Sequence, residues 1–445
     1  MSKLKPKTPK GMRDFLPSDM YKREYVYGVV REVFESFGFE PISTPVMELE
    51  KNLMGNYGAD AEKLIYHAKH TEGKEQLALR YDLTVPLSRF FAEHENELPL
   101  PFRRYHIAPV WRGERPGRGR YREFIQCDAD IVGIKGIAAD AECVSVVYAA
   151  LTRLGFQDFT IKMNTRKLLT GVGVYAGVPD DQLGELYRSI DKTDKIGLEG
   201  VAKELADSGM AQEVIDRMVG LLGLQTDDKD AVLAHLQAEM GHIEIAQEGI
   251  QELQDLVKYT RAFGVDDANT MLDFTMVRGL GYYTGPIFET VITKPENLGS
   301  VQGGGRYDEL IGLFRHQSLP TTGISLGIER IIDLMDQLDL YPESVKQSPI
   351  HVLVTVFDDN LLAESMKLAA ELRNAGVSAE VYLDPRKSLG KQLGYAEGKG
   401  MPCAAIIGSD ELAQGVVKLK RLADRHEETI QRGDVAQTVQ AWLDQ

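Results

Sequence analysis

The sequence predicts an α+β protein, with an antiparallel sheet core interrupted by a helical insertion and followed by a separate C-terminal α/β domain. Three observations carry that prediction. Apolar and polar residues alternate over 102–112 and 122–133, as paired strands require. Residues 180–260 are helical in pattern throughout, so they split the strands as an inserted block. Around 341–349, YPESVKQSP, periodicity lapses before a new alternation of strands and helices begins. The expected division is a core domain over 1–342 with its insertion at about 170–265, a linker over 343–349, and an α/β domain over 350–445.

Taken in order, residues 20–37 carry apolar side chains at helical spacing and stop at Gly38. Phe39 to Pro45 reads as an extended strand, because each proline drives its predecessor out of the helical region. Residues 76–91 read as a short strand entering a helix with Pro86 in its first turn. The strands 102–112 and 122–133 form an antiparallel hairpin with the long basic tip GERPGRGRY. A helix over 138–155 and a strand from Phe159 to Met163 precede the helical block, in which Ile243, Ala246, Ile250, Leu253 and Val257 form a core stripe. Strands return at 271–293, with a Gly-rich turn at 299–306 and a helix from about 327. In the last domain IHVLVTVF is a strand, and the next helix presents Leu362, Met366, Ala369 and Leu372 on one face. SAEVYL, a helix, CAAIIG and a terminal helix through Trp442 follow.

Bulk properties exclude several classes. With 43% hydrophobic and 27% charged residues and no low-complexity tract, the chain is neither disordered nor a disulfide scaffold. Cys127, Cys143 and Cys403 are too irregularly spaced for a zinc site and read as buried thiols. No signal peptide or membrane span is visible, which points to the cytoplasm. A net charge of −16 argues against a protein that coats DNA, yet basic clusters at Arg112–Arg122 and Lys418–Arg425 suit local contact with phosphate. The second cluster alternates with Leu419 and Leu422, so a solvated face reads equally well.

In the first cluster Arg112, Glu114, Arg115, Arg118, Arg120 and Arg122 surround three glycines and a proline. Guanidinium forks match phosphate in shape and charge, although loops of this composition are also simply solvated. The segment Val277 to Gly285 sets Arg278, Tyr282 and Tyr283 among glycines, where backbone and ligand can approach closely; taken alone it also reads as a strand edge with core aromatics. Gly303-Gly304-Gly305-Arg306-Tyr307-Asp308 lacks the lysine of a P-loop and reads as a flexible turn. There is no GxGxxG opening a βαβ unit, no HExxH and no CxxC, so no motif implies a protein-held metal.

Together these segments resemble the class II aminoacyl-tRNA synthetases over essentially the whole chain. GFEPISTPVME is similar to the class's dimer-forming first motif, RYHIAPVWRGERPGRGRYREFIQCDADIVG to its second and GISLGIERIID to its third. RGLGYYTG and GGGRYDEL, with RYDLTVP upstream, resemble segments peculiar to the histidyl-tRNA synthetase family. The resemblance implies a class II catalytic core with a C-terminal anticodon-binding domain, acting as a homodimer on ATP with Mg²⁺, L-histidine and tRNA(His). The alternative is a non-catalytic regulatory paralogue serving ATP phosphoribosyltransferase, expected to lack both the terminal domain and the Tyr-Tyr segment.

Position by position, the resemblance implies that Asp82, Thr84 and Gln126 hold the α-amino group of histidine, with Leu83 also among the histidine-binding residues, while Asp130 and Tyr283 hold the imidazole nitrogens and Tyr282 lines the pocket. Arg112 contacts the α-phosphate and the substrate carboxylate, Glu114 the adenine, Arg330 the distal phosphates, and Arg278 the reacting α-phosphate. Gly281 departs from the family, which usually has an acidic residue there; this bears on the support of Tyr282 and Arg278. Elementary chemistry agrees with such roles. A carboxylate attacking phosphorus needs positioning and cations rather than a strong base, and a neutral imidazole offers one donor and one acceptor. Taken alone, Gln126 and Asp130 read as cross-strand surface pairing.

Overall fold

The structure, a computed structural model, describes residues 5–55, 59–117, 119–179, 182–224, 228–277, 282–295, 299–346 and 348–444. Two compact units appear, Met1–Leu340 and Tyr341–Gln445. The stretch expected as linker carries a short helix, Glu343–Lys346.

Along the first unit the strands are β1 (Glu40–Pro41), β2 (Met47–Leu49), β3 (His67–Ala68), β4 (Leu77–Leu79), β5 (Phe102–Trp111), β6 (Glu123–Val132), β7 (Phe159–Thr165), β8 (Thr270–Leu272), β9 (Pro286–Ile292), β10 (Ser300–Arg306) and β11 (Thr321–Leu326). Eight of them form one sheet in the order β1-β5-β6-β11-β10-β9-β7-β8, and β2-β4-β3 form a small second sheet. The six central strands are antiparallel, while the edge pairs β1–β5 and β7–β8 are parallel. Of the extended segment Phe39 to Pro45, β1 is the two residues Glu40 and Pro41, beside β5, and the Ile42 N–H donates to the Tyr105 carbonyl at 3.0 Å.

The central strand β6 shows why the sheet forms. Its sequence EFIQCDADIV sends Cys127, Ala129 and Ile131, all fully buried, to one face and Gln126, Asp128 and Asp130 to the other. The helices Pro17–Ser36, Ala138–Arg153 and Ile328–Gln337 pack together with the sheet. Truncating a residue such as Ile131 to Ala in this setting costs about 2–5 kcal/mol. Between β7 and β8 the chain runs through helices from Arg166 to Ala262, and Ala246, Ile250, Leu253 and Val257 are buried as the stripe predicts.

The glycine segment 299–306, read from sequence as a turn, is instead largely the central strand β10. Glycine is required there by crowding: a Cβ on Gly304 would lie 2.4 Å from the Gly323 carbonyl oxygen on β11. Strand structure over 271–293 is likewise broken, since β8 ends at Leu272 and β9 begins at Pro286.

The second unit holds β12 (Val352–Val354), β13 (Ala379–Val381), β14 (Cys403–Ile406), β15 (Val416–Arg421) and β16 (Glu427–Gln431) in the order β13-β12-β14-β15-β16. Its first three strands are parallel and the β15–β16 hairpin is antiparallel. That hairpin was not apparent in sequence, where a single terminal helix was expected; the helix is only Val435–Leu443. The buried face of helix Leu362–Asn374 is Ser365, Leu368, Ala369 and Leu372, with Met366 turned to solvent. No described helix is long and apolar enough to cross a membrane.

Candidate active site

Gln126, Asp128 and Asp130 stand two residues apart on β6 and line a cavity of about 520 Å³. Strand register determines what surrounds them. On β5, Arg104 is opposite Asp130, His106 opposite Asp128 and Ala108 opposite Gln126. On β11, Gly323 is opposite Asp130 and Ser325 opposite Asp128. Residues directly opposite share a face, so the neighbours of each carboxylate follow from pairing alone.

Asp130 is doubly engaged. Arg104 Nη2 lies 2.6 Å from its Oδ2, and the Tyr307 hydroxyl donates a short hydrogen bond to its Oδ1. Burial pushes this carboxyl above the ordinary carboxylate range, and Arg104 and Tyr307 pull it back. Gly323 makes room for it, because a Cβ at that position would fall 1.9 Å from Asp130 Oδ1.

Asp128 is 2% exposed and has no cation within ion-pair distance among the described residues. Burial pushes its pKa up to about 7, with the charges of Asp130 and Asp82 adding to the rise against Arg104 and Ser325. Gln126 Nε2 donates long bonds to both Asp128 oxygens at 3.4 Å and a shorter one to Ser325 Oγ at 3.2 Å. Gln126 Oε1 is buried and accepts from no described group.

Asp82 Oδ1 accepts from the backbone N–H of Thr84 and of Val85, each at 3.1 Å, capping the helix Thr84–His94. Thr84 lines the cavity. Leu83 turns its side chain into the core with Ala108 and Val110, leaving only its carbonyl toward Arg104, at 3.4 Å. Tyr282 and Tyr283 line the cavity with ring centroids 4.3 Å apart, and the Tyr307 ring meets Tyr282 edge-on.

The other end of the cavity is cationic. The Arg112 guanidinium sits over Tyr81 at 4.5 Å and Phe124 at 5.1 Å, with its Nε donating to the Tyr81 carbonyl. Glu114 lines the same region and pairs with Arg120 at 3.1 Å. Arg122 donates to the Glu114 carbonyl, so it braces the loop. Arg330 enters from helix Ile328–Gln337, held by a 2.7 Å bond to the Ser300 carbonyl. From Phe124, under Arg112, to Asp130 the strand extends roughly 20 Å at about 3.4 Å per residue. The cavity therefore offers guanidinium groups at one end and buried carboxylates at the other, which suits a phosphate group together with an amine and a polar ring.

Arg278 and Gly281 lie outside the described residues, as does Arg118. Sequence reasoning overlooked Arg104, Asp128, Tyr307 and Ser325 as parts of the site. Asp128 was within reach: on a strand carrying Gln126 and Asp130 on one face, the residue between them by steps of two must share it.

A family model described as histidyl-tRNA synthetase matches residues 11–331, and one described as anticodon binding domain matches 351–442. The chain is 40% identical to the histidine–tRNA ligase of Cytophaga hutchinsonii, over 94% of this chain and 96% of that protein. With the histidine–tRNA ligase of Rhodopirellula baltica the identity is 42%, covering 96% of each. Among solved structures, histidyl-tRNA synthetase from Nostoc sp. PCC 7120 superposes with a TM-score of 0.87 at 32% identity, covering 99% of this chain and 100% of that one.

Proposed function

The chain belongs to the histidyl-tRNA synthetase family, and from that membership we propose that the cavity on β6 is where it joins L-histidine to ATP. As a histidine–tRNA ligase it forms histidyl-adenylate and passes the histidyl group to the 3′ end of tRNA(His). The observation that carries the assignment of the site is its polarity, with Arg112 and Arg330 at one end and Asp128 and Asp130 at the other. The relatives' identity over nearly the whole chain disfavours the regulatory-paralogue alternative.

In this reading Asp82, Thr84 and Gln126, with the Leu83 main chain, surround the α-ammonium, and Arg112 steers the substrate carboxylate toward the α-phosphate. An oxygen of that carboxylate attacks phosphorus, the new O–P bond forms and pyrophosphate leaves. Arg112 and Arg278 meet the charge on the α-phosphate, Arg330 meets the distal phosphates and Glu114 contacts the adenine. Tyr81 and Phe124 clamp the Arg112 fork and so reduce the entropy lost in binding. Asp130, oriented by Arg104 and Tyr307, accepts from one imidazole nitrogen while Tyr283 addresses the other and Tyr282 closes the wall.

Among the described residues no cluster of three His, Cys, Asp or Glu side chains is placed to hold a metal. In this reading Mg²⁺ would be carried on the phosphates of ATP, and none of these residue roles depends on it. The 38–48 segment forms the dimer contact: it ends the sheet at β1 and leaves Val46 and Met47 exposed. The terminal unit contributes tRNA affinity, and the enzyme works in the cytoplasm. Asp130→Ala tests the pocket, with a sharply raised KM for histidine expected; an unchanged KM removes Asp130 from it.

A further inference from the structure

Asp128 has no part in the roles just described, yet among the described carboxylates that line the cavity it is the one without an ion pair, since Glu114, Asp130 and Glu329 each have one. Asp130 two residues along has both a cation and a phenol, whereas Asp128 has only a long contact from Gln126 and the Ser325 hydroxyl. Gln126 completes the picture. Its Nε2 is turned to Asp128 and Ser325, so its buried Oε1, which accepts from no described group, is left as a second acceptor beside the carboxylate. A carboxylate and an amide oxygen side by side, both buried, call for a ligand group rich in N–H donors and carrying positive charge.

We propose that Asp128 is a further specificity-determining residue, which with Gln126 Oε1 receives the α-ammonium of histidine and sheds a proton to solvent as the amino acid enters. This rests on the reading that histidine binds in the β6 cavity. An ammonium has three donors, of which Asp128 and Gln126 take two; an imidazole has at most two, and Asp130 is already oriented for it. The groups facing Asp128 are Arg104 and His106 from β5, Asp130 on its own strand, Ser325 from β11, Asp82 ahead of helix Thr84–His94, and the phenols of Tyr282 and Tyr307. Arg104 is paired with Asp130, and burial beside Arg104 and Arg80 holds His106 down at about 3, so it stays neutral. With its pKa at about 7, Asp128 is half-protonated at neutral pH in the empty site. An ammonium beside it favours the ionised form, and the proton released passes to buffer without any other bond changing.

Calorimetric titration of the full-length protein with L-histidine at pH 7, in phosphate and in Tris, counts protons through the difference in buffer ionisation heat. Wild type is expected to release up to about half a proton more than Asp128→Asn, which is also expected to bind histidine at least tenfold more weakly, the order of a hydrogen bond to a charged group. Equal proton counts, or equal affinities, overturn the proposal. A second arm needs no variant: 3-(imidazol-4-yl)propionate lacks only the ammonium, and once the proton lost by each ligand's own ring is subtracted, from the titration curve of the free ligand, it is expected to draw no such proton from wild type. Corrected release equal to that with histidine overturns the proposal even if Asp128→Asn does not fold. Asp130→Asn run in parallel separates the two readings. If it weakens histidine binding while Asp128→Asn does not, only this inference fails; if neither weakens it, histidine does not bind in the β6 cavity.

Discussion

Arg104 and Asp130 form an ion pair across β5 and β6, 2.6 Å from Nη2 to Oδ2, in which Arg104 is fully buried and Asp130 is 3% exposed. Removing one partner leaves the other charge stranded, so Arg104→Met is expected to cost about 3–5 kcal/mol in urea unfolding. Replacing both, as Arg104→Met with Asp130→Leu, is expected to recover most of that stability. Histidine activation is expected to stay lost in the double variant, because in the proposed function Arg104 orients Asp130 toward the imidazole. A double variant as unstable as the single one would contradict this.

The Arg112 guanidinium lies against the rings of both Tyr81 and Phe124. Arg112→Lys keeps the charge but loses the planar fork and the stacking, so histidine-dependent kcat/KM is expected to fall about 10²–10³-fold. Pre-steady-state adenylate formation checks this, and a wild-type rate would place Arg112 outside the chemistry.

Much of the central sheet was legible because β5 and β6 alternate well enough to read as strands and flank a Gly/Arg loop that cannot continue one. The glycine strand β10 was not legible, since Gly303, Gly304 and Gly305 look like a turn in one dimension and are explained only by the approach of β11. The β15–β16 hairpin was missed for a different reason. Val417 and Leu419 do alternate with lysines on β15, but β16 is EETIQ with only Ile430 partly buried, so the second strand carries no apolar alternation, and its polar residues pair across the hairpin, as Glu427 with Lys420. Those pairs also neutralise part of the basic Lys418–Arg425 cluster, with Arg421 held by Asp424. Arg104 escaped notice because a buried cation reads like any surface arginine until the register sets it opposite Asp130.

His106 supplies a pH test. Burial, with Arg104 and Arg80 nearby, lowers its pKa from the ordinary 6.5 to about 3. The unfolded chain takes a proton at about pH 6.5 while the folded site refuses it until about pH 3, so this residue's contribution to stability is full above 6.5 and falls with pH across that window. Asp128 and Asp140, raised to about 7 and about 6, act in the opposite sense, losing stability as pH rises from the ordinary carboxylate range. The readout is therefore the difference between His106→Gln and wild type. The variant's melting temperature is expected to drop less than that of wild type between pH 7 and pH 5, and parallel curves would contradict the assignment.

The terminal unit has its own buried clusters, one around Val352, Leu368 and Val417 and another around Leu353 and Ala404. Ending the chain at Leu340 is expected to leave histidine adenylation measurable while tRNA charging falls much further. Equal losses in the two reactions, or a charging defect that persists at saturating tRNA, would contradict a role limited to tRNA affinity.

In the proposed function the polar face of β6 reads histidine, and amino-acid-dependent ATP–pyrophosphate exchange across all twenty amino acids is the decisive assay. Exchange is expected with L-histidine alone, because buried hydrogen-bonding groups reject ligands that cannot satisfy them by roughly 10⁴-fold. With Asp130→Ala the histidine signal is expected only at greatly raised concentration. Exchange with proline or threonine equal to that with histidine would contradict the account.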